Sequence, residues 1–67
     1  MSVYKVVEII GTSATSWEDA ALTAVNKAKE TLRDLRVAEV MAQDLEVTAD
    51  GVVYRTKVSL SFKYEGV

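Results

Sequence analysis

Residues Val37 to Tyr64 form two long strand-type runs that meet at Asp50-Gly51, and one helix cannot cover the sheet such a hairpin makes. Asp-Gly is a strong hairpin signal, because a type I′ turn needs positive φ at both central residues. A turn centred there sets Val47 opposite Tyr54, Leu45 opposite Thr56, Gln43 opposite Val58, Met41 opposite Leu60 and Val37 opposite Tyr64. On the other face it pairs Glu46 with Arg55 and Asp44 with Lys57, two opposite-charge cross-strand pairs. A one-residue slip would set Leu45 against Lys57 and lose both, so the pattern resists it.

The rest of the chain supplies one strand and one helix. Val3 to Ile10 is a β-rich run with Lys5 and Glu8 as its only charges, followed by small and hydroxyl residues from Gly11 to Thr15, read as a loop. Ser16 is a good helix N-cap: its hydroxyl can accept from the Asp19 amide, with Glu18 and Asp19 at the positive end of the helix dipole. Ala21, Ala24, Val25, Ala28, Leu32 and Leu35 follow at helical spacing with Trp17 on the same stripe, predicting a helix that ends near Asp34. Its alanines allow close seating on a sheet. About 19 residues span roughly 28 Å, enough to return the chain to the start of strand one. The order β-α-β-β then predicts an α+β fold. One helix packs on a curved three-stranded sheet in the order 1-3-2, with strand three antiparallel to both neighbours.

The 67 residues are expected to form a single domain, 1–67. A chain this short buries only about 60% of its unfolded surface and usually needs a staple. With no cysteine and no histidine, disulfides, zinc and copper are excluded, and so are histidine and thiol catalysis. Oligomerisation is the staple left, and a strand three of some 40 Å offers more apolar sheet than the helix can cover. The net charge of −2 with scattered lysines and arginines speaks against nucleic acid or an anionic membrane as partner. No apolar run approaches a membrane span and no leader pattern opens the chain, so a cytoplasmic location is expected.

Three stretches resemble the dodecin family: Val3-Tyr4-Lys5-Val6-Val7-Glu8-Ile9-Ile10-Gly11-Thr12-Ser13, the helix start Ser16-Trp17-Glu18-Asp19-Ala20-Ala21, and Ala38-Glu39-Val40 followed by a hairpin ending Ser61-Phe62-Lys63. The resemblance implies a hollow homododecamer that binds or stores a small ligand without catalysis. In the flavin-binding branch, a tryptophan before the Ala-Glu-Val step stacks on the isoalloxazine, and a glutamine in the last strand bonds its polar edge. Those positions here are Val37 and Arg55. Valine has no π face, and arginine can donate but not accept. Flavin is therefore expected to bind weakly at best, and the combination of Trp17, Val37 and Arg55 is similar to the calcium dodecin branch. The hairpin register puts Val37 and Arg55 on opposite faces, which a bulge or a contribution from different subunits would reconcile.

Val37, Glu39, Gln43 and Arg55 would mark a degenerate flavin pocket, Glu39 and Gln43 being polar residues on an apolar face. They either line a subunit cleft or are turned outward by a bulge. Asp44 and Glu46 share a face at strand spacing and could hold calcium through carboxylate oxygens, although pairing with Lys57 and Arg55 is the favoured reading. Gly11-Thr12-Ser13 before a helix could cradle a coenzyme A or nucleotide phosphate, but a turn and cap explain it better. The alternative to a binding shell is a structural or interaction particle with no small ligand.

Overall fold

The computed structural model describes residues 1–64, in the order β1 (Tyr4–Ser13), α1 (Trp17–Ala28), β2 (Leu35–Thr48) and β3 (Gly51–Lys63). The three strands form one sheet in the order β1-β3-β2, with β3 antiparallel to both neighbours. This is the expected α+β arrangement.

Strand β1 runs through Gly11-Thr12-Ser13, further than the predicted end at Ile10. The reason is contact with the helix. Gly11 stands opposite Thr56, and a Cβ there would run into the Ala20 carbonyl oxygen and sit 2.9 Å from the Ala24 Cβ. The glycine is thus the seat of α1, which buries Ala20 over Gly11 itself and packs the buried Ala24 and Ala28 in one cluster with Val58 and Leu60. The buried line runs through Ala20, with Ala21 and Val25 only partly covered beside it. Ser16 caps α1 as predicted, accepting from the Asp19 amide at 3.0 Å.

Helix α1 stops at Ala28, well before Asp34. The next amides close tighter turns, Glu30 to the Lys27 carbonyl and Thr31 to that of Ala28, and Asp34 takes a left-handed φ of 56°. Leu32 and Leu35 still reach the core, from the turn and from β2. The apolar spacing is real, but a turn carries its last part.

The hairpin differs from its predicted register. Thr48 pairs with Gly51, so the loop is Ala49-Asp50, and the positive φ, 144°, falls on Gly51 alone. Ala49 and Asp50 avoid the left-handed cost that a type I′ turn centred on Asp50-Gly51 would impose on aspartate. Val47 therefore meets Val52, Leu45 meets Tyr54, Gln43 meets Thr56 and Asp44 meets Arg55. The displacement is even, so residues beside the turn keep their predicted faces. Further along they do not. Met41 is an extra residue between the Val40–Val58 and Ala42–Lys57 pairs, and Arg36 is another between Leu35–Phe62 and Val37–Ser61. Each bulge exchanges the faces of the residues beyond it.

The helix lies on β1 and β3 and scarcely touches β2. Every residue of β2 after Leu35 is exposed, Val37, Val40, Met41, Leu45 and Val47 among them. Among the described residues no helix is long and apolar enough to cross a membrane.

Candidate functional site

The sheet face turned away from α1 carries most of the sheet's charged residues. Thr56, Val58 and Leu60 are buried under the helix, so the alternate residues Arg55, Lys57, Ser59 and Ser61 face outward. Opposite them stand Asp44, Ala42, Glu39 and Val37 on β2, and Thr12, Ile10, Glu8 and Val6 on β1. Directly opposed residues share a face. The Met41 bulge thus brings Val37 and Glu39 to the same face as Arg55, where the sequence alone had set Val37 and Arg55 apart.

Sharing a face is not sharing a pocket. Val37 is level with Ser61, six positions along β3 from Arg55, or about 20 Å at strand rise. Gln43 stands opposite the buried Thr56 and so belongs to the helix side. Within one chain, therefore, Val37, Glu39, Gln43 and Arg55 are not gathered around one ligand.

The tightest polar arrangement is Arg55 on Asp44. Arg55 Nε donates to Asp44 Oδ1 at 2.7 Å and Nη2 to Oδ2 at 2.9 Å, a two-pronged pair on a partly exposed surface. These hydrogen bonds hold the Asp44 carboxyl below the ordinary carboxylate range, and reciprocally raise Arg55. Lys57 lies 3.8 Å from Glu8 across the β1–β3 pairing. The predicted partners, Asp44 with Lys57 and Glu46 with Arg55, are both replaced, because moving the turn moves every pair. Glu46 stands level with Val53, two positions from Asp44 on the same face, and its charge favours the nearby Arg55 cation. Ile10, Ala42, Asp44, Arg55 and Lys57 line a hollow of about 140 Å³. A larger cleft of about 440 Å³ lies elsewhere, between the end of α1 and the start of β2, lined by Val25, Leu32, Leu35 and Arg36 among others. It contains neither Asp44 nor Glu46.

Asp44 is also tied to the helix. Trp17 Nε1 donates to the Asp44 carbonyl oxygen at 2.9 Å, and the indole stands edge-on to Tyr54 with ring centroids 5.1 Å apart. Thr56 Oγ1 donates to the Trp17 carbonyl at 2.9 Å, which satisfies a fully buried hydroxyl. The link between Trp17 and Asp44 joins residues 27 apart in sequence, and no local pattern announces it. The Glu8–Lys57 contact likewise follows only once the β1–β3 register is known. Gly11-Thr12-Ser13 serves as strand, turn and cap: Ser13 Oγ donates to Asp19 Oδ2 at 2.7 Å and accepts from the Thr15 amide at 2.9 Å.

Small helix-on-sheet proteins with a long hairpin whose outer strand is left uncovered form the class to which this chain belongs, and the comparisons with known proteins narrow it. The dodecin family model matches residues 3–65. The calcium dodecin of Mycobacterium tuberculosis is 55% identical over 64 residues, covering 94% of this chain and 90% of that protein. Its crystal structure, described as that of a calcium-chelating immunodominant antigen with a novel calcium-binding site, superposes with a TM-score of 0.88 at 52% identity, over 96% of this chain and 93% of that one. A point mutant of the Thermus thermophilus dodecin gives a TM-score of 0.90 at 34% identity over the full length of both chains. The dodecin of Streptomyces coelicolor gives 0.90 at 30% identity, over 98% of this chain and 96% of that one. The chain belongs to the dodecin family. It is accordingly a non-enzymatic binding protein of a family that forms homo-oligomers.

Asp44 and Glu46 offer the donors calcium prefers, carboxylate oxygens on an exposed face. Two carboxylates fall short of the six to eight oxygens calcium takes, and Arg55 already holds both oxygens of one. Among the described residues no three acidic side chains converge on one point. The donor chemistry fits; the rest of the shell must come from water or a second chain.

Proposed function

We propose that residues 1–67 form one dodecin-like domain of a hollow homododecamer that acts in the cytoplasm and binds calcium, with Asp44 as first ligand and Glu46 as second. The observation that carries this reading is the pair of exposed carboxylates on the outer face of β2, in a chain 55% identical to a calcium dodecin. The uncovered length of β2, with Val40, Met41 and Val47 exposed, supports burial against further copies of the chain. Oxygen-only donors favour calcium or magnesium over transition metals. Symmetry in the assembly would bring carboxylates from neighbouring subunits to complete each shell.

In this reading the flavin pocket is degenerate. Val37 offers no ring to stack on, Arg55 is engaged by Asp44, and Glu39 and Gln43 lie on opposite faces of the sheet. A structural particle with no small ligand is the second reading, favoured by that same Asp44–Arg55 pair, which leaves Asp44 compensated without any metal. Calorimetric titration of calcium into the chelator-treated oligomer, with Asp44→Asn as control, decides between them. Saturable heat that the substitution removes supports the calcium reading. Absence of both heat and thermal stabilisation by calcium supports the structural one.

A further inference from the structure

We propose that the end of the β2–β3 hairpin is an arm that docks on a second copy of this chain, and that Trp17 is the brace that sets its angle. The inference rests on the homo-oligomer of the family and adds which segment reaches the next chain and what holds it ready.

Strand β1 ends at Ser13, opposite Tyr54, whereas β2 and β3 go on pairing through Glu46–Val53, Val47–Val52 and Thr48–Gly51. Beyond Tyr54 the sheet therefore narrows from three strands to two. A two-stranded ribbon is marginally stable in water by itself. Directly opposed residues share a face, so Leu45, Val47, Val52 and Tyr54 make one apolar side, continuous with the side of Thr56 and Val58 that seats α1. Nothing in the chain covers the end of that side: Leu45 and Val52 are exposed, and Val47 is 80% exposed. The arm's charges lie elsewhere, Glu46 on the opposite face and Asp50 in the loop. An uncharged apolar side that continues the core selects an apolar occupant, and identical chains are what this family assembles from.

Trp17 stands where the arm leaves the body. Its Nε1 donates to the Asp44 carbonyl oxygen at 2.9 Å, and its ring meets Tyr54 edge-on with centroids 5.1 Å apart. Its own carbonyl accepts from Thr56 Oγ1 at 2.9 Å. One residue thus ties the first turn of α1 to both strands at the root of the arm. The helix otherwise scarcely touches β2, and among the described residues the indole makes the one side-chain hydrogen bond from α1 to that strand. Two-stranded ribbons twist more freely than wider sheets, so a fixed point at the root holds the arm at one angle.

Val47→Glu tests the arm, because Val47 touches little in its own chain whereas an unpaired carboxylate between two chains is costly. Light scattering over a protomer dilution series, in urea just strong enough to dissociate the wild type at its low end, reads the concentration of half assembly. Val47→Glu should raise that concentration roughly tenfold or more. Val47→Ser, which removes apolar area without adding charge, should fall between the two. Trp17→Phe tests the brace, since it keeps a ring near Tyr54 and removes the N–H donor. Hydrogen exchange read by mass spectrometry should become roughly two- to tenfold faster at residues 45–53, the worth of one hydrogen bond. Residues 7–11 and 58–60, under the helix, should keep their rates. Weakened assembly in both Val47 variants and faster exchange confined to 45–53 in Trp17→Phe support the proposal. Wild-type assembly of Val47→Glu overturns the arm and leaves the homo-oligomer standing, whereas a wild type that is monomeric without urea overturns both. Exchange in Trp17→Phe that stays at the wild-type rate, or rises equally across the sheet, overturns the brace.

Discussion

Gly11→Ala tests how closely the helix sits on the sheet. The backbone at Gly11 has no left-handed φ, so alanine is allowed there conformationally, and by itself would stabilise by about 0.4–1 kcal/mol through the unfolded state. The fold reverses that sign. The new methyl would be driven into the Ala20 carbonyl oxygen and to within 2.9 Å of the Ala24 Cβ. Neither neighbour is the tip of a flexible side chain, so α1 must move off β1 and loosen Ala24 and Ala28 from Val58 and Leu60. Overpacking of this kind costs about 1–3 kcal/mol, and the lost contacts beneath the helix bring the expected net destabilisation to about 2 kcal/mol. In a domain of this size that lowers Tm by about 8–16 °C. The assay is thermal unfolding by circular dichroism at fixed protomer concentration, since assembly makes Tm depend on concentration. A Tm equal to or above the wild type would refute the close seating of α1 on β1.

Gly51→Ala should destabilise by about 1–2 kcal/mol for a different reason: φ is 144° and open space surrounds the position, so only backbone strain acts; denaturant unfolding measures it. Asp44 is held below the ordinary carboxylate range in the folded protein, so its stabilisation is full above about pH 4 and is lost as pH falls through the lowered folded value. Unfolding of the wild type and Asp44→Asn in parallel should show the stability gap closing below about pH 4, and a gap that is constant with pH would contradict it. The wild type should purify colourless and quench riboflavin weakly, while Val37→Trp should bind riboflavin more tightly, stacking being worth about 1–3 kcal/mol per ring. No gain would mean that the surrounding pocket is remodelled more widely than position 37.

The elements were legible because their signals are local. Ser16 with Asp19 announced the helix start, alternation from Val52 to Phe62 announced β3, and three strands with one helix leave few ways to connect them. What escaped was the seat of one turn and the contacts between residues far apart in sequence. The Asp-Gly signal located the hairpin, yet the loop moved to Ala49-Asp50 because one glycine absorbs the positive φ at less cost than an aspartate and a glycine together. That displacement alone replaced Lys57 by Arg55 as partner of Asp44. The bulges at Met41 and Arg36 have no proline or glycine to mark them. Their one visible trace was chemical: Glu39 on a predicted apolar face was a contradiction that the Met41 bulge resolves by turning it outward beside Ser59. Asp44 and Glu46 were identified as candidates from spacing. That Arg55 grips Asp44 while Trp17 bonds its carbonyl depends on the packing of α1 over the hairpin.

Native mass spectrometry of the chelator-treated assembly, before and after calcium addition, reads oligomer size and bound metal in one spectrum. The expected spectrum shows a single species of twelve chains that gains calcium mass, and an Asp44→Asn assembly of the same size that does not. A 7.4 kDa monomer, or equal calcium uptake by the Asp44→Asn assembly, would contradict it.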